Sequence, residues 1–321
     1  MDFFWLILGF VTLIFGGDFL VKGAVGLALK ANVSTLVIGM TVVSFGTSAP
    51  ELLVSLGAAS KGGEDALMSV GNVIGSNIAN LALVLGCTAL IYPIEVKRDS
   101  LTQDWPVMIL STILFIVFMA FFDGERYRVN QWEGGVLFLL IILFTVFMIK
   151  KSRKEAKAGK TEEVDEEIEE NKGNPLWKSS VFLILGCLGL VFGSSWLLDA
   201  AVNIAVAANI DQFIIGVTIL AFGTSVPELA ASAIAAYRKE TDIAIGNLIG
   251  SNIFNILCVV GLTGTVAGMP LKKEVLSYDA WWMLGIALLI FPLMLLGRKI
   301  HRWKGILLLL SYGAYLFVLV S

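Results

Sequence analysis

Two stretches decide the fold: residues 39–55 read GMTVVSFGTSAPELLVS, and residues 216–232 read GVTILAFGTSVPELAAS. Each is followed by a second matched segment, GNVIGSNIAN from Gly71 and GNLIGSNIFN from Gly246. Order and near-constant spacing are kept, and self-similarity of this kind marks an internal duplication. General apolar character would not reproduce Thr, Ser, Pro, Glu and Asn at matching places.

The surroundings of both copies are apolar. The chain is 57% hydrophobic and 15% charged, whereas a soluble domain carries about 25% charged residues. Its apolar residues come in blocks long enough to cross a hydrocarbon core, which takes about 20 residues. Ten such blocks are expected, at 3–29, 35–60, 66–91, 105–122, 132–149, 179–206, 212–236, 243–266, 279–296 and 303–320. The first has no basic leading region and runs on through Leu29, so it reads as a retained helix. This divides the chain into a five-helix repeat at 1–149, a charged linker at 150–178 and a second five-helix repeat at 179–321. Five spans per copy is an odd number, so the two copies must lie in opposite orientations, the inverted-repeat architecture of many secondary transporters.

Basic residues orient the whole. Lys61, Arg126, Arg128, Lys272 and Lys273 fall on one side. Lys30, Lys97, Arg98, the linker, Arg238, Lys239, Arg298, Lys299, Arg302 and Lys304 fall on the other, which the positive-inside rule makes cytoplasmic, with both termini outside. The linker turns from basic to acidic but lacks the glycine-turn loop of an EF-hand. Cys87, Cys187 and Cys258 lie inside apolar blocks and read as packing residues. The single histidine, His301, stands among basic residues at the start of the last block, so histidine-based metal or triad chemistry is excluded by count.

An ionisable residue in mid-span is a functional candidate by default. Glu51 and Glu228 occupy equivalent places deep in spans 2 and 7; the bland alternative is a carboxyl kept neutral by local hydrogen bonds. Thr47 and Ser48, like Thr224 and Ser225, stand four and three residues before the acid and share its helix face. Pro50 and Pro227 each remove a backbone donor, which is expected to kink the span and free carbonyls near Ser44–Gly46 and Ala221–Gly223. Spans 3 and 8 add Asn72, Ser76 and Asn80, and Asn247, Ser251 and Asn255, each set on one face. These are site oxygens or, alternatively, interhelical glue, whereas Gly71, Gly75, Gly246 and Gly250 read as close-packing positions. Carboxylates, hydroxyls, amide oxygens and freed carbonyls without sulfur or imidazole make a hard-cation site that suits Ca²⁺.

Two copies of GTSxPEL with GNxxGSNxxN resemble the alpha repeats of the Na⁺/Ca²⁺ exchangers, within the cation/Ca²⁺ antiporter superfamily, and the compact prokaryotic members above all. The resemblance covers nearly the whole chain. It implies an all-α integral membrane protein of ten helices, no enzymatic activity, no cofactor, and Ca²⁺ and Na⁺ as transported ions in a prokaryotic plasma membrane. The expected surroundings are lipid, with no nucleic acid and no obligate protein partner. By motif position, Glu51 and Glu228 would be the principal Ca²⁺ ligands, with oxygens of Thr47 and Thr224. Na⁺ would draw on Ser48, Ser225, Ser76 and Ser251, on the carbonyls of Ser44 and Ala221, and on Asn80 and Asn255. The family also implies that spans 1 and 6 slide across the rest, where Gly16, Gly17, Gly23, Gly26, Gly186, Gly189 and Gly193 would give a smooth contact. Lys22 and Asp199, at equivalent places on those spans, either pair or meet headgroups and solvent. Asn255 stands where K⁺-dependent members resemble one another in having aspartate, which argues against K⁺ co-transport and leaves two glutamates to carry the charge. Proton-coupled divalent antiport is the alternative; an intramembrane enzyme would need a partnered nucleophile, which Ser48 and Ser225 lack.

Overall fold

Lipid offers the backbone no hydrogen-bond partner, so each apolar block must satisfy its peptide groups internally, as a helix. The computed structural model of the chain describes residues 1–121, 127–158, 175–208 and 223–320. In the first half the helices are α1 (Asp2–Ala31), α2 (Thr35–Thr47), α3 (Ala49–Lys61), α4 (Asp65–Ile91), α5 (Ser100–Ala120) and α6 (Gln131–Lys157). In the second they are α7 (Leu176–Ala207), α8 (Val226–Tyr237), α9 (Thr241–Ala267), α10 (Val275–Arg298) and α11 (Arg302–Leu319). Helices α2 and α3 are two parts of one span, bent by 45°. Among the described residues, eight helices are individually long and apolar enough to cross a membrane, or nine spans with the bent pair. The span expected at 212–236 lies partly outside the described residues, and α8 is its described end.

The duplication is visible in the loops. Strand β1 (Ile94–Glu95) pairs antiparallel with β4 (Lys299–Ile300), and β2 (Arg128–Val129) pairs antiparallel with β3 (Met269–Pro270). The loop after the third span of each half thus joins the loop before the last span of the other half, once in each direction. Glycine contacts repeat the exchange: a Cβ on Gly134 of α6 would meet the Gly261 carbonyl of α9 at 2.7 Å, and one on Gly305 of α11 would meet the Gly86 carbonyl of α4 at 2.7 Å.

Helices α1 and α7 lie backbone against backbone. A Cβ on Gly9 would fall 2.7 Å from the Gly193 carbonyl and one on Gly193 would fall 3.0 Å from the Gly9 carbonyl, while Gly16 faces Gly189. Most of the glycines expected to form a sliding surface therefore bind the two helices to each other. Gly17 is different, facing Ala230 and Ile234 of α8. Of the two alternatives for Lys22 and Asp199, the pair is not the one formed: Lys22 meets Asp18 at 2.9 Å, one turn away, and Asp18 also takes Arg238 at the end of α8.

Two further features depart from the sequence reading. Helices α6 and α7 extend into the segment read as linker, because a helix can continue past the lipid boundary once its side chains are solvated; Lys151 on α6 then pairs with Asp99 at 2.6 Å. Lys304, expected at the surface, is 1% exposed. Its ammonium donates to the carbonyls of Leu293 and Lys299, at 2.7 Å each, and of Leu296, so its three donors close the end of α10. The place equivalent to Lys304 in the first half is Glu133, whose carboxylate accepts from Asn130 N–H at 2.7 Å and caps the start of α6.

Close approach of α1 and α7 leaves no room for a methyl group. Gly9→Ala should destabilise the purified protein by about 1–3 kcal/mol through overpacking. Gly285→Ala, where a Cβ meets nothing within 4 Å, should leave the melting temperature unchanged or raise it slightly.

Candidate functional site

The site is built around two helix breaks of the same geometry. In the first repeat α2 ends at Thr47, Ser48 takes φ −89° and ψ 7°, and α3 restarts with Pro50 in its first turn. In the second, Ser225 has φ −87° and ψ 4°, and α8 restarts with Pro227. Pro50 is tolerated because a helix start needs no N–H there. Among the described residues no backbone N–H donates to the carbonyls of Phe45, Gly46 or Thr47. The Ser44 carbonyl, expected to be free, is instead used by Ser48 N–H at 3.0 Å and approached by the Thr47 hydroxyl at 3.4 Å. The break therefore begins one residue later than the proline spacing suggested. Ala221 lies outside the described residues.

Glu51 and Glu228 each occupy the first turn of the restarted helix. An acid there meets the positive end of the helix dipole and its unpaired N–H groups. Both residues are 0% exposed and near enough to feel each other's charge. Glu228 Oε1 accepts from the Ser48 hydroxyl at 3.0 Å, which ties the two breaks together. Neither oxygen of Glu51, nor Glu228 Oε2, has a hydrogen-bond partner among the described residues.

Further oxygens converge from both repeats. The Thr47 hydroxyl lies 3.1 Å from Asn247 Oδ1 and 3.4 Å from the Ser251 hydroxyl. Ser44 donates to the Gly39 carbonyl at 2.8 Å and the Asn247 carbonyl at 3.0 Å. Ser76 and Thr224 are 3.2 Å apart. Asn80 is 0% exposed with neither amide atom partnered among the described residues, as is true of the Ser225 hydroxyl. Asn255 donates to Asn77 Oδ1 at 3.0 Å, which leaves its own Oδ1 unpartnered. Side-chain contacts thus join Ser48 to Glu228, Thr47 to Ser251 and Ser76 to Thr224 across the two repeats.

Four residues of this network were not assigned from the sequence. Asn72 donates to the Ser55 hydroxyl and Asn247 to the Ser232 hydroxyl, both at 3.0 Å. Ser55 and Ser232 end the two quoted repeats, four residues beyond each glutamate, so their shared spacing was the available signal. Asn77 and Asn252, the Asn of each GSN, link α4 to α9: Asn77 donates to the Asn252 carbonyl at 3.4 Å. A matched Asn inside an apolar helix was the signal here.

A buried cluster of carboxylate, hydroxyl, amide and carbonyl oxygens has the composition of a hard-cation site. The family model of the sodium/calcium exchanger protein matches residues 1–150 and 178–321, nearly the whole chain. The chain belongs to the sodium/calcium exchanger family. It is 34% identical over 351 residues to the sodium/calcium exchanger MaX1 of Methanosarcina acetivorans, covering 99% of this chain and 98% of the relative. It is 35% identical over 311 residues to the inner membrane protein YrbG of Escherichia coli, covering 96% and 93%. Among solved structures it is similar to the sodium-calcium exchanger NCX_Mj soaked without Na⁺ and Ca²⁺, with a TM-score of 0.81, 33% identity and coverage of 100% and 98%. This exchanger-family chain is accordingly an all-α integral membrane protein of two inverted five-helix repeats, and not an enzyme.

Asn247 is 1% exposed, joins α9 to Ser232 and Thr47, and accepts from Ser251 one turn along, whereas Asn72 is half-buried and bonds to Ser55 and to the Glu51 carbonyl. Asn247→Ala should therefore cost about 1–3 kcal/mol of stability by orphaning buried partners, and Asn72→Ala measurably less; thermal unfolding in detergent compares the two.

Proposed function

We propose that this chain exchanges Ca²⁺ for Na⁺ by alternating access, and that both ions bind between Glu51 and Glu228. The observation that carries the reading is the pair of carboxylates from opposite repeats, both fully buried, with three of their four oxygens unpartnered among the described residues. Two adjacent buried negative charges need a compensating positive charge. One Ca²⁺ balances them, and Thr47, Thr224 and the freed carbonyls supply the further oxygens its shell requires. Na⁺ ions take the same carboxylates with Ser48, Ser225, Ser76, Ser251, Asn80, Asn255 and the carbonyl of Ala221. Because the glutamates serve both loads, occupancy by one excludes the other, which is the basis of obligatory exchange.

In this reading α1 and α7 move as one unit. Their glycine contacts hold them together, and they meet the breaks through side chains: Cys187 against Gly46 and Leu198 against Gly223. The boundaries at 149 and 179 separate the two repeats, the linker faces the cytoplasm and both termini face outward, in a prokaryotic plasma membrane. Lipid is the surrounding medium, and the site needs no obligate protein partner.

Vesicles loaded with Na⁺ and containing the purified protein should accumulate ⁴⁵Ca²⁺ when diluted into Na⁺-free medium, and Glu51→Gln or Glu228→Gln should each reduce that uptake at least about a hundredfold, because a desolvated charged ligand contributes several kcal/mol. Uptake that ignores Na⁺ and follows an imposed pH gradient would replace this reading with proton-coupled antiport.

A further inference from the structure

The repeats contain a second pair of equivalent acids that the central site does not use. Asp104 and Asp279 each close a one-turn π-helix at the start of a span, at Ser100–Asp104 and Val275–Asp279. Each follows another acid, Asp99 or Glu274, by five residues and precedes a buried methionine, Met108 or Met283, by four. The two acids stand at opposite faces of the membrane, as inverted symmetry requires.

Their surroundings differ. Asp279 is half-buried and accepts a hydrogen bond from the Tyr315 hydroxyl at 3.2 Å. Counting from Trp132 and Trp303, the first-half equivalent of Tyr315 is Phe144, which has no hydroxyl to offer. Asp104 is only 1% exposed, and neither of its carboxylate oxygens has a partner among the described residues. Beside it lies the Ser100 hydroxyl, 0% exposed and also unpartnered among the described residues. The neighbouring cation, Lys151, is engaged elsewhere: its ammonium lies 2.6 Å from Asp99 Oδ2, 2.6 Å from Gln103 Oε1 and 3.5 Å from Glu155 Oε1. The turn is closed in by α9 and α10, while the Asp99 side chain is 46% exposed and leads outward.

We infer that Asp104 and Ser100 form a second cation site, separate from the central one, at the membrane face that carries the linker, and that it takes a small monovalent ion, Na⁺. Neither carboxylate oxygen of Asp104 has a partner among the described residues, the single hydroxyl of Ser100 can donate to at most one of them, and a buried carboxylate without compensation is strongly unfavourable. A single positive charge balances Asp104. A divalent ion would be over-compensated and repelled by Lys151 alongside, and oxygen-only ligands favour a hard ion. Water entering past Asp99 completes the shell.

The test uses full-length protein carrying Glu51→Gln and Glu228→Gln, so that the central carboxylates are removed. Its melting temperature is measured in NaCl against choline chloride at constant pH and ionic strength. A Na⁺-dependent stabilisation should persist in this background and vanish when Asp104→Asn is added. Ser100→Ala, which keeps the acid, should raise the half-saturating Na⁺ concentration about tenfold, and it decides the matter should Asp104→Asn not fold. The proposal is overturned if the background variant shows no Na⁺ effect, if the effect survives Asp104→Asn, or if Ser100→Ala leaves half-saturation unchanged. It is equally overturned if stabilisation follows pH in choline and is indifferent to Na⁺, which would make the occupant a proton.

Discussion

Holding two carboxylates inside hydrocarbon is the constraint on which the rest of the structure depends. Each ionised group would be prohibitively costly alone, and the fold answers in three ways. It places each acid in the first turn of a restarted helix, where the dipole and unpaired N–H groups favour negative charge. It surrounds them with hydroxyls and amides from both repeats, such as Ser48 on Glu228. It leaves three of their oxygens without partners among the described residues, so that a cation can complete the arrangement. The proline breaks, the matched serines and the close packing of α2 against Gly246 and Gly250 of α9 all serve this one centre.

Inverted duplication explains why the parts come in pairs, yet the two copies are not mechanically equal. Glu133 and Lys304 occupy the same place in the repeat with opposite charge; one caps a helix start and the other closes a helix end. Asp279 has a phenol partner and Asp104 has none. Asn255 is tied to Asn77 while Asn80 has no described partner. Symmetry therefore sets where polar residues fall, and local substitutions set what each then does.

Residues that spell their own geometry were legible from the chain. Gly46, Pro50 and Glu51, repeated as Gly223, Pro227 and Glu228, announce a break, an acid and a duplication at once, and the hydroxyls beside them follow by helix periodicity. Features that depend on a partner were not. A glycine stripe on α1 permits close approach without naming α7 as the neighbour. Asp104 stands one residue outside an apolar block, where an acid ordinarily meets water, and only tertiary cover from α9 and α10 makes it buried. Lys304 reads as a surface charge for the same reason, because sequence does not show which carbonyls will lie within reach.

The central claim is that the two breaks share one ion rather than each binding its own. Long-wavelength anomalous diffraction from crystals equilibrated with Ca²⁺ tests it directly. The expected result is a single strong peak within about 2.6 Å of carboxylate oxygens from both Glu51 and Glu228, lost when Na⁺ is raised. Two separate peaks, or one peak contacting only one of these glutamates, would contradict the account.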